Sequence, residues 1–337
     1  MAKAYTLAQT PGSCYTVAME PRGMGRAYLG LAVAAIAWGA SFVATKRAVS
    51  EVSPATVVWA RFGMGVLVLG AAVALRRQWA LPPRRELPFF VLLGFLGVAL
   101  HQWLQANGLR TATATTSSWI VTTIPIFTAL LGFLVLKERL HPVRIAGIAL
   151  AAVGVLVVVS RGRLGALWSG HEGTVGDLLV LGSAVNWAVF TVLSRSRIGS
   201  HPPARMMLWV MAIGWLLTFP WLLAGPGFSE LTAPTPTGWL ALAFLGFVCS
   251  GLAYIGYYDA LRVLPAARVA AFIYFQPLVT MAVAVALGQE HLVPASLLGG
   301  ALILGGVALV NRRTPLRPHA EARLQGAAVG TGDGEPG

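Results

Sequence analysis

Charge is what this chain has least of. Only 11% of its 337 residues are Asp, Glu, Lys or Arg, less than half of the ~25% usual in a soluble domain. A chain so poor in charge cannot present a wet surface over its whole area, so lipid must cover most of it. Acidic groups are the scarcer sign, 12 against 25 basic ones. Cysteine is nearly missing too: Cys14 and Cys249 lie far apart, which argues against a disulfide framework or a cysteine-based metal centre. The six histidines are scattered and no His-Glu-x-x-His or paired-carboxylate motif occurs. That counts against the alternative reading, an integral membrane enzyme acting on a lipid-type substrate, because such an enzyme needs these groups clustered at one membrane face. No Walker-type phosphate loop is present, and the linkers are too short for a nucleotide-binding domain, which argues against ATP-driven transport. No catalytic residue, metal or cofactor is expected.

What the chain has is apolar length. Hydrophobic residues make up 56% of it and the mean hydropathy is +0.71. About 20 mostly apolar residues are needed to cross the hydrocarbon core. Ten segments meet that length, at roughly 27–47, 54–75, 88–109, 112–136, 142–160, 175–195, 204–224, 237–259, 266–288 and 292–311. They predict an all-α integral membrane protein of ten transmembrane helices. Residues 1–26 have no basic n-region followed by an apolar core and cleavage site, and read as a cytoplasmic N-terminal segment, with Met19 or Met24 as alternative initiators. Residues 312–337, rich in Arg, Gly and Pro, read as a disordered cytoplasmic tail.

The basic residues sort by side. With the N-terminus in the cytoplasm, 19 Lys and Arg fall on the cytoplasmic side and five on the other, with Arg61 inside a helix. By the positive-inside rule both termini are cytoplasmic, and the expected location is the cell inner membrane. The net charge of +13 then fits contact with anionic lipid rather than nucleic acid.

The chain also repeats itself. Trp38 and Trp187 stand 149 residues apart, as do Pro54 and Pro203, and Phe95-Leu96-Gly97 and Phe244-Leu245-Gly246. Further on the offset is 152, pairing Pro125 with Pro277, Glu138 with Glu290, Gly147 with Gly299 and Gly154 with Gly306. Five helices is an odd number, so the second copy enters the membrane from the opposite side. Residues 27–160 and 175–311 are therefore two inverted five-helix repeats, an arrangement of secondary carriers that bind substrate near the midplane.

These residues resemble the EamA-type transporters of the drug/metabolite transporter superfamily, over about 285 residues. The resemblance rests on Trp38-Gly39-Ala40-Ser41-Phe42, on Ala60-Arg61-Phe62, and on Pro125 leading to Lys137-Glu138-Arg139-Leu140. The second half answers with Gly176-Asp177, Asn186-Trp187-Ala188, Pro277 and Gly288-Gln289-Glu290. It departs from the family pattern at Gln289-Glu290-His291, where a shorter Gly-Glu step is common. The resemblance implies an alternating-access carrier that exports or exchanges a small metabolite, amino acid or drug-like compound. Its expected partners are a small-molecule substrate, protons and membrane lipid, with a homodimer as a further option.

Polar groups at membrane depth are costly and face a cavity or the bundle interior. Arg61, roughly 10 Å into its helix at 1.5 Å per residue, offers a bidentate fork to a carboxylate, or else snorkels or pairs with a helix end. His101 and Gln105 share a helix face and are the expected cavity wall, His101 being also a candidate proton carrier. Trp38 and Trp187 occupy matched mid-helix positions, with Ser41 and Asn186 as polar neighbours. Trp119, Tyr254, Tyr257 and Gln276 complete the cavity candidates. Pro125 and Pro277 each remove a backbone donor and are hinge candidates. Asp177 is expected at a helix start, and Glu138 and Glu290 at matched helix ends, as partners of helix dipoles.

Overall fold

The computed structural model describes residues 21–136, 141–162, 172–194, 201–261, 263–264 and 266–311. The N-terminal segment before Pro21, the Lys137-Glu138-Arg139-Leu140 run and the C-terminal tail lie outside the described residues. Ten helical units run in chain order: α1 (Pro21–Val49), α2 (Pro54–Leu75), α3 (Leu87–Thr111), α4 (Ala114–Val121 and Ile124–Leu136), α5 (Pro142–Val159), α6 (Glu172–Ser194), α7 (Pro203–Ala224), α8 (Pro236–Leu261), α9 (Ala266–Ile273 and Gln276–Ala286) and α10 (Pro294–Asn311). Six begin on proline, which lacks the donor that a first turn leaves unpaired anyway. This places α1 further upstream than hydropathy alone suggests. Among the described residues nine helices are long and apolar enough to cross a membrane. The tenth, α9, reaches that length only as two pieces.

The break in α9 falls at Tyr274–Phe275, and α4 breaks equivalently at Thr122–Thr123. Each break is followed, two residues on, by Pro125 or Pro277 as the second residue of the new piece. Proline cannot donate into the preceding turn, so the helix restarts there. The duplicated sequence thus builds the same interruption twice. A second matched irregularity lies in α3 and α8, where Phe95–Leu100 and Phe244–Leu252 wind as π-helix. Both stretches begin on the repeated Phe-Leu-Gly triplet.

The two halves interlock. α1 packs on α8 and α9 of the other half, and α6 packs on α3 and α4. At the triplets, a methyl group on Gly97 would meet the Phe190 ring at 2.6 Å and one on Gly246 would meet Met64 Cβ at 2.5 Å. Any larger residue would push these neighbours aside. The fifth helices of the halves, α5 and α10, form their own antiparallel pair against α4. Their seam is made of the duplicated glycines: a Cβ on Gly147 would lie 2.6 Å from Gly306 O, and one on Gly154 2.7 Å from Gly299 O. Small residues let backbones meet where lipid gives no hydrophobic drive for helix association. The outer face repeats too, Leu67 and its counterpart Leu216 both projecting outward.

The bundle has a proximal end, where α1 starts, and a distal end, where it finishes. Distally, Glu230 accepts from the Ser53 amide at 3.0 Å and from the hydroxyls of Ser53 and Thr56. Glu51 accepts from the Thr235 amide at 2.7 Å and pairs with Arg47. These contacts tie the α1–α2 turn to the segment between α7 and α8. Proximally, Arg76 makes a two-pronged pair with Asp259 at 2.8 and 2.7 Å, and His201 meets Glu86 at 2.8 Å.

Candidate functional site

The π-helical stretches set the middle of the bundle. A π turn holds one residue more than an α turn, which releases a carbonyl for an outside donor and is frequent at functional sites. Asn186 Nδ2 donates to Leu96 O in the α3 stretch at 2.6 Å. Trp38 Nε1 donates to Cys249 O in the α8 stretch at 3.0 Å. The two conspicuous residues of α1 and α6 therefore hold the same irregularity in the opposite half. Trp38 lies against Tyr254 and Tyr257, ring centroids 5.2 and 5.3 Å away. Trp187 lies against His101 at 4.6 Å and Phe190 at 4.8 Å.

Arg61 is 5% exposed and turns inward. Its Nε donates to Ser250 Oγ and its Nη1 to Gln102 Oε1, both at 2.9 Å, and its own neighbour Phe62 presents a ring 5.3 Å from the guanidinium carbon. Cys249, Tyr254 and His101 lie within electrostatic range of its charge. Among the described residues no carboxylate pairs with it. A guanidinium has five N–H groups, and the two bonds to neutral side chains leave most of its fork unused. A buried charge without a counter-charge is expensive, and the neutral partners orient Arg61 without cancelling it.

His101 Nδ1 lies 3.0 Å from Ser183 O on α6. A carbonyl only accepts, so Nδ1 carries the proton and Nε2 keeps its lone pair. The imidazole thus bridges α3 and α6, and Nε2 has no hydrogen-bond partner among the described residues.

The other expected residues divide. Gln105, 7% exposed on the His101 face, has no hydrogen-bond partner among the described residues. The same holds for the side chain of Gln276, at the α9 break. Gln276 O accepts from Thr280, which also donates to Gly39 O at 2.7 Å, and so α9 sits against the Trp38 helix. Ser41 Oγ donates to Trp38 O at 2.7 Å, spending its hydroxyl within α1. Trp119 stands apart from the Arg61 group: it belongs to the α4–α5–α10 core and its ring lies over Gly300. Asp177 is not at a helix start, because α6 begins at Glu172; one of its carboxylate oxygens is enclosed without a partner. Glu290 does serve a helix end, accepting from the Ala114 and Thr115 amides at 2.5 and 3.2 Å. Its counterpart Glu138 lies outside the described residues.

Gln102 and Ser250, the two partners of Arg61, were not among the expected site residues. The repeat points to Ser250, the 149-residue counterpart of His101, but not to Gln102, whose counterpart is Gly251. The counterpart of Arg61 is Val210. The polar centre is thus built once, on a duplicated frame.

The pattern of the EamA-like transporter family matches residues 25–160 and again 174–312. The chain belongs to the EamA-like transporter family. A described "uncharacterized transporter" of Archaeoglobus fulgidus is 29% identical over 288 residues, covering 86% of this chain and 98% of that one. A "probable terminal-alkyne amino-acid exporter" of Streptantibioticus cattleyicolor is 28% identical, with 86% of this chain and 95% of the relative covered. A "probable amino-acid metabolite efflux pump" of Salmonella typhimurium is also 28% identical, over 81% of this chain and 90% of its own length. A solved structure shares the fold, with TM-score 0.60, 21% identity and coverage of 85% and 98% of the two chains. This is a multi-pass secondary membrane transporter for a small molecule, and not an enzyme.

Proposed function

We propose that this transporter carries a small carboxylate-bearing metabolite, of the amino-acid type, out of the cytoplasm by alternating access. The observation that carries the reading is Arg61, a buried guanidinium whose hydrogen-bonded partners are neutral. An arriving carboxylate supplies the missing negative charge and fits the guanidinium fork. Trp38, Tyr254 and Tyr257 on one side, and Trp187, His101 and Asn186 on the other, supply walls for the rest of the molecule. Gln105 and Gln276, whose amides are unpaired among the described residues, supply adaptable polar contacts, and Ser41 marks the α1 edge. Trp119 belongs to the support of this chamber rather than to its wall. The relatives named as exporters of amino-acid compounds agree in substrate class.

In this reading both termini are cytoplasmic, as the distribution of Lys and Arg favours. The breaks preceding Pro125 and Pro277 are the hinges. Protons enter at His101 Nε2, the nitrogen left free by the bond to Ser183. The test is uptake into proteoliposomes of purified protein, over amino acids, simple carboxylates, their amides and organic cations, with and without a pH gradient. Carboxylates are expected to be carried and their amides not. Transport confined to cations would overturn the substrate assignment. pH dependence that survives His101→Gln would remove His101 as the coupling group.

A further inference from the structure

A second polar site is built at the distal end of the bundle, where α3 turns into α4. A cavity of about 270 Å³ opens there, lined among others by Thr115, Thr116, Arg161, Glu290 and His291. Both signs of charge face it. The hydroxyls of Thr115 and Thr116, residues 8% and 4% exposed, have no hydrogen-bond partner among the described residues. Glu290 spends one lone pair of each oxygen on the α4 amides and retains the others. Behind this wall Lys46 Nζ donates to Ala112 O, within electrostatic range of Glu290, Arg161 and Asp177.

Arg161 is the telling residue. It ends α5 in the left-handed region at φ 51°, where its amide donates to Val158 O and that of Gly162 to Val157 O. This is the Schellman arrangement, and the left-handed position is normally glycine because any Cβ is strained there. At the end of α9 the same arrangement uses Gly288, φ 64°. Arg77 ends α2 in the same arrangement at φ 54°, so arginine is compatible with this turn, and what sets Arg161 apart is that it lines the cavity.

We infer that this cavity is a second solute site, for a small zwitterion whose carboxylate pairs with Arg161 and whose ammonium pairs with Glu290, with the Thr115 and Thr116 hydroxyls between. Its volume, below the usual range for drug-sized ligands, suits a molecule the size of a small amino acid. On the topology proposed above this is the external face, and the site is where exported solute leaves. That role rests on the transport reading; the binding itself does not.

The experiment uses the full chain in lipid nanodiscs and radiolabelled L-alanine as the probe, with propionate and ethylamine as competitors that each lack one charge. Arg161→Gly is the informative variant because glycine suits the backbone there, so the fold is retained or stabilised. In the Arg61→Ala background, where the central site is disabled, alanine is expected to bind at least tenfold more tightly than either competitor. Arg161→Gly and Thr116→Val are each expected to weaken alanine at least tenfold, while Arg61→Ala leaves a distal component intact. Absence of alanine binding by folded wild-type protein overturns the inference. So does binding in the Arg61→Ala background that is unchanged by Arg161→Gly and Thr116→Val, or propionate binding there as tightly as alanine. Loss of liposome transport in Arg61→Ala with distal binding preserved keeps the central reading and this one distinct.

Discussion

Replacing Arg61 separates its charge from its shape. Arg61→Lys keeps a positive charge but gives up the planar fork and cannot meet Ser250, Gln102 and a carboxylate with one geometry. Losing one hydrogen bond to a charged group costs about 1.5–3 kcal/mol, or roughly 10- to 140-fold in affinity at 1.4 kcal/mol per tenfold. Arg61→Gln removes the charge as well. Truncating one partner of a buried, hydrogen-bonded charge pair costs about 2–5 kcal/mol, roughly 30- to 4,000-fold. The assay is concentration-dependent uptake into proteoliposomes of a transported carboxylate and of its neutral amide. Wild type should prefer the carboxylate, Arg61→Lys should lose part of the preference, and Arg61→Gln should lose nearly all of it. Ser250→Ala, which frees Nε from the acceptor that holds it at 2.9 Å, should give a smaller loss for the carboxylate alone. Equal affinity of folded wild type and Arg61→Gln for the carboxylate refutes the reasoning. So does an equal loss for acid and amide, because that would report a packing defect.

Three further outcomes follow from the frame. Gly154→Ala places a methyl group 2.7 Å from Gly299 O, which forces α5 and α10 apart. A gap of 0.5–1 Å forfeits a quarter to a half of each dispersion contact, so a loss of about 1–3 kcal/mol and a lowered Tm are expected, and an unchanged or raised Tm contradicts the seam. Pro125→Ala with Pro277→Ala restores two backbone donors at the matched breaks; turnover should fall with KM retained, and unaltered turnover removes both as hinges. Burial pushes the Glu230 carboxyl up, but the bonds from the Ser53 and Thr56 hydroxyls and the Ser53 amide outweigh it and hold the group below its ordinary 4.5. Its stabilisation of the distal tie is therefore complete above that value and is lost as pH falls through the lowered one. The protection of the Ser53 amide against hydrogen exchange, relative to its intrinsic rate at each pH, should fall over that acid range in wild type and show no such step in Glu230→Gln.

The sequence by itself determined the membrane, the ten segments and the inverted duplication, because hydropathy over about 20 residues and a fixed 149- or 152-residue offset are linear properties. It also placed Arg61, His101 and Gln105 part-way along apolar segments, since position along a helix is a count of residues. It did not determine what they face. Arg61 meets Ser250 across 189 positions and Gln102 across 41, and no local pattern carries that pairing. Nor does hydropathy distinguish Trp38, which bonds a carbonyl of the α8 π stretch, from Trp119, which packs over Gly300 in another core. Both are apolar rings in apolar helices, and helix rotation and packing alone separate them. Asp177 reads as a helix start only if α6 begins near it; the helix begins five residues earlier and encloses one of its oxygens. The distal cavity is the extreme case. Its lining comes from the α4 start, the α5 end and the segment after α9, which only the crossing of the two halves brings together.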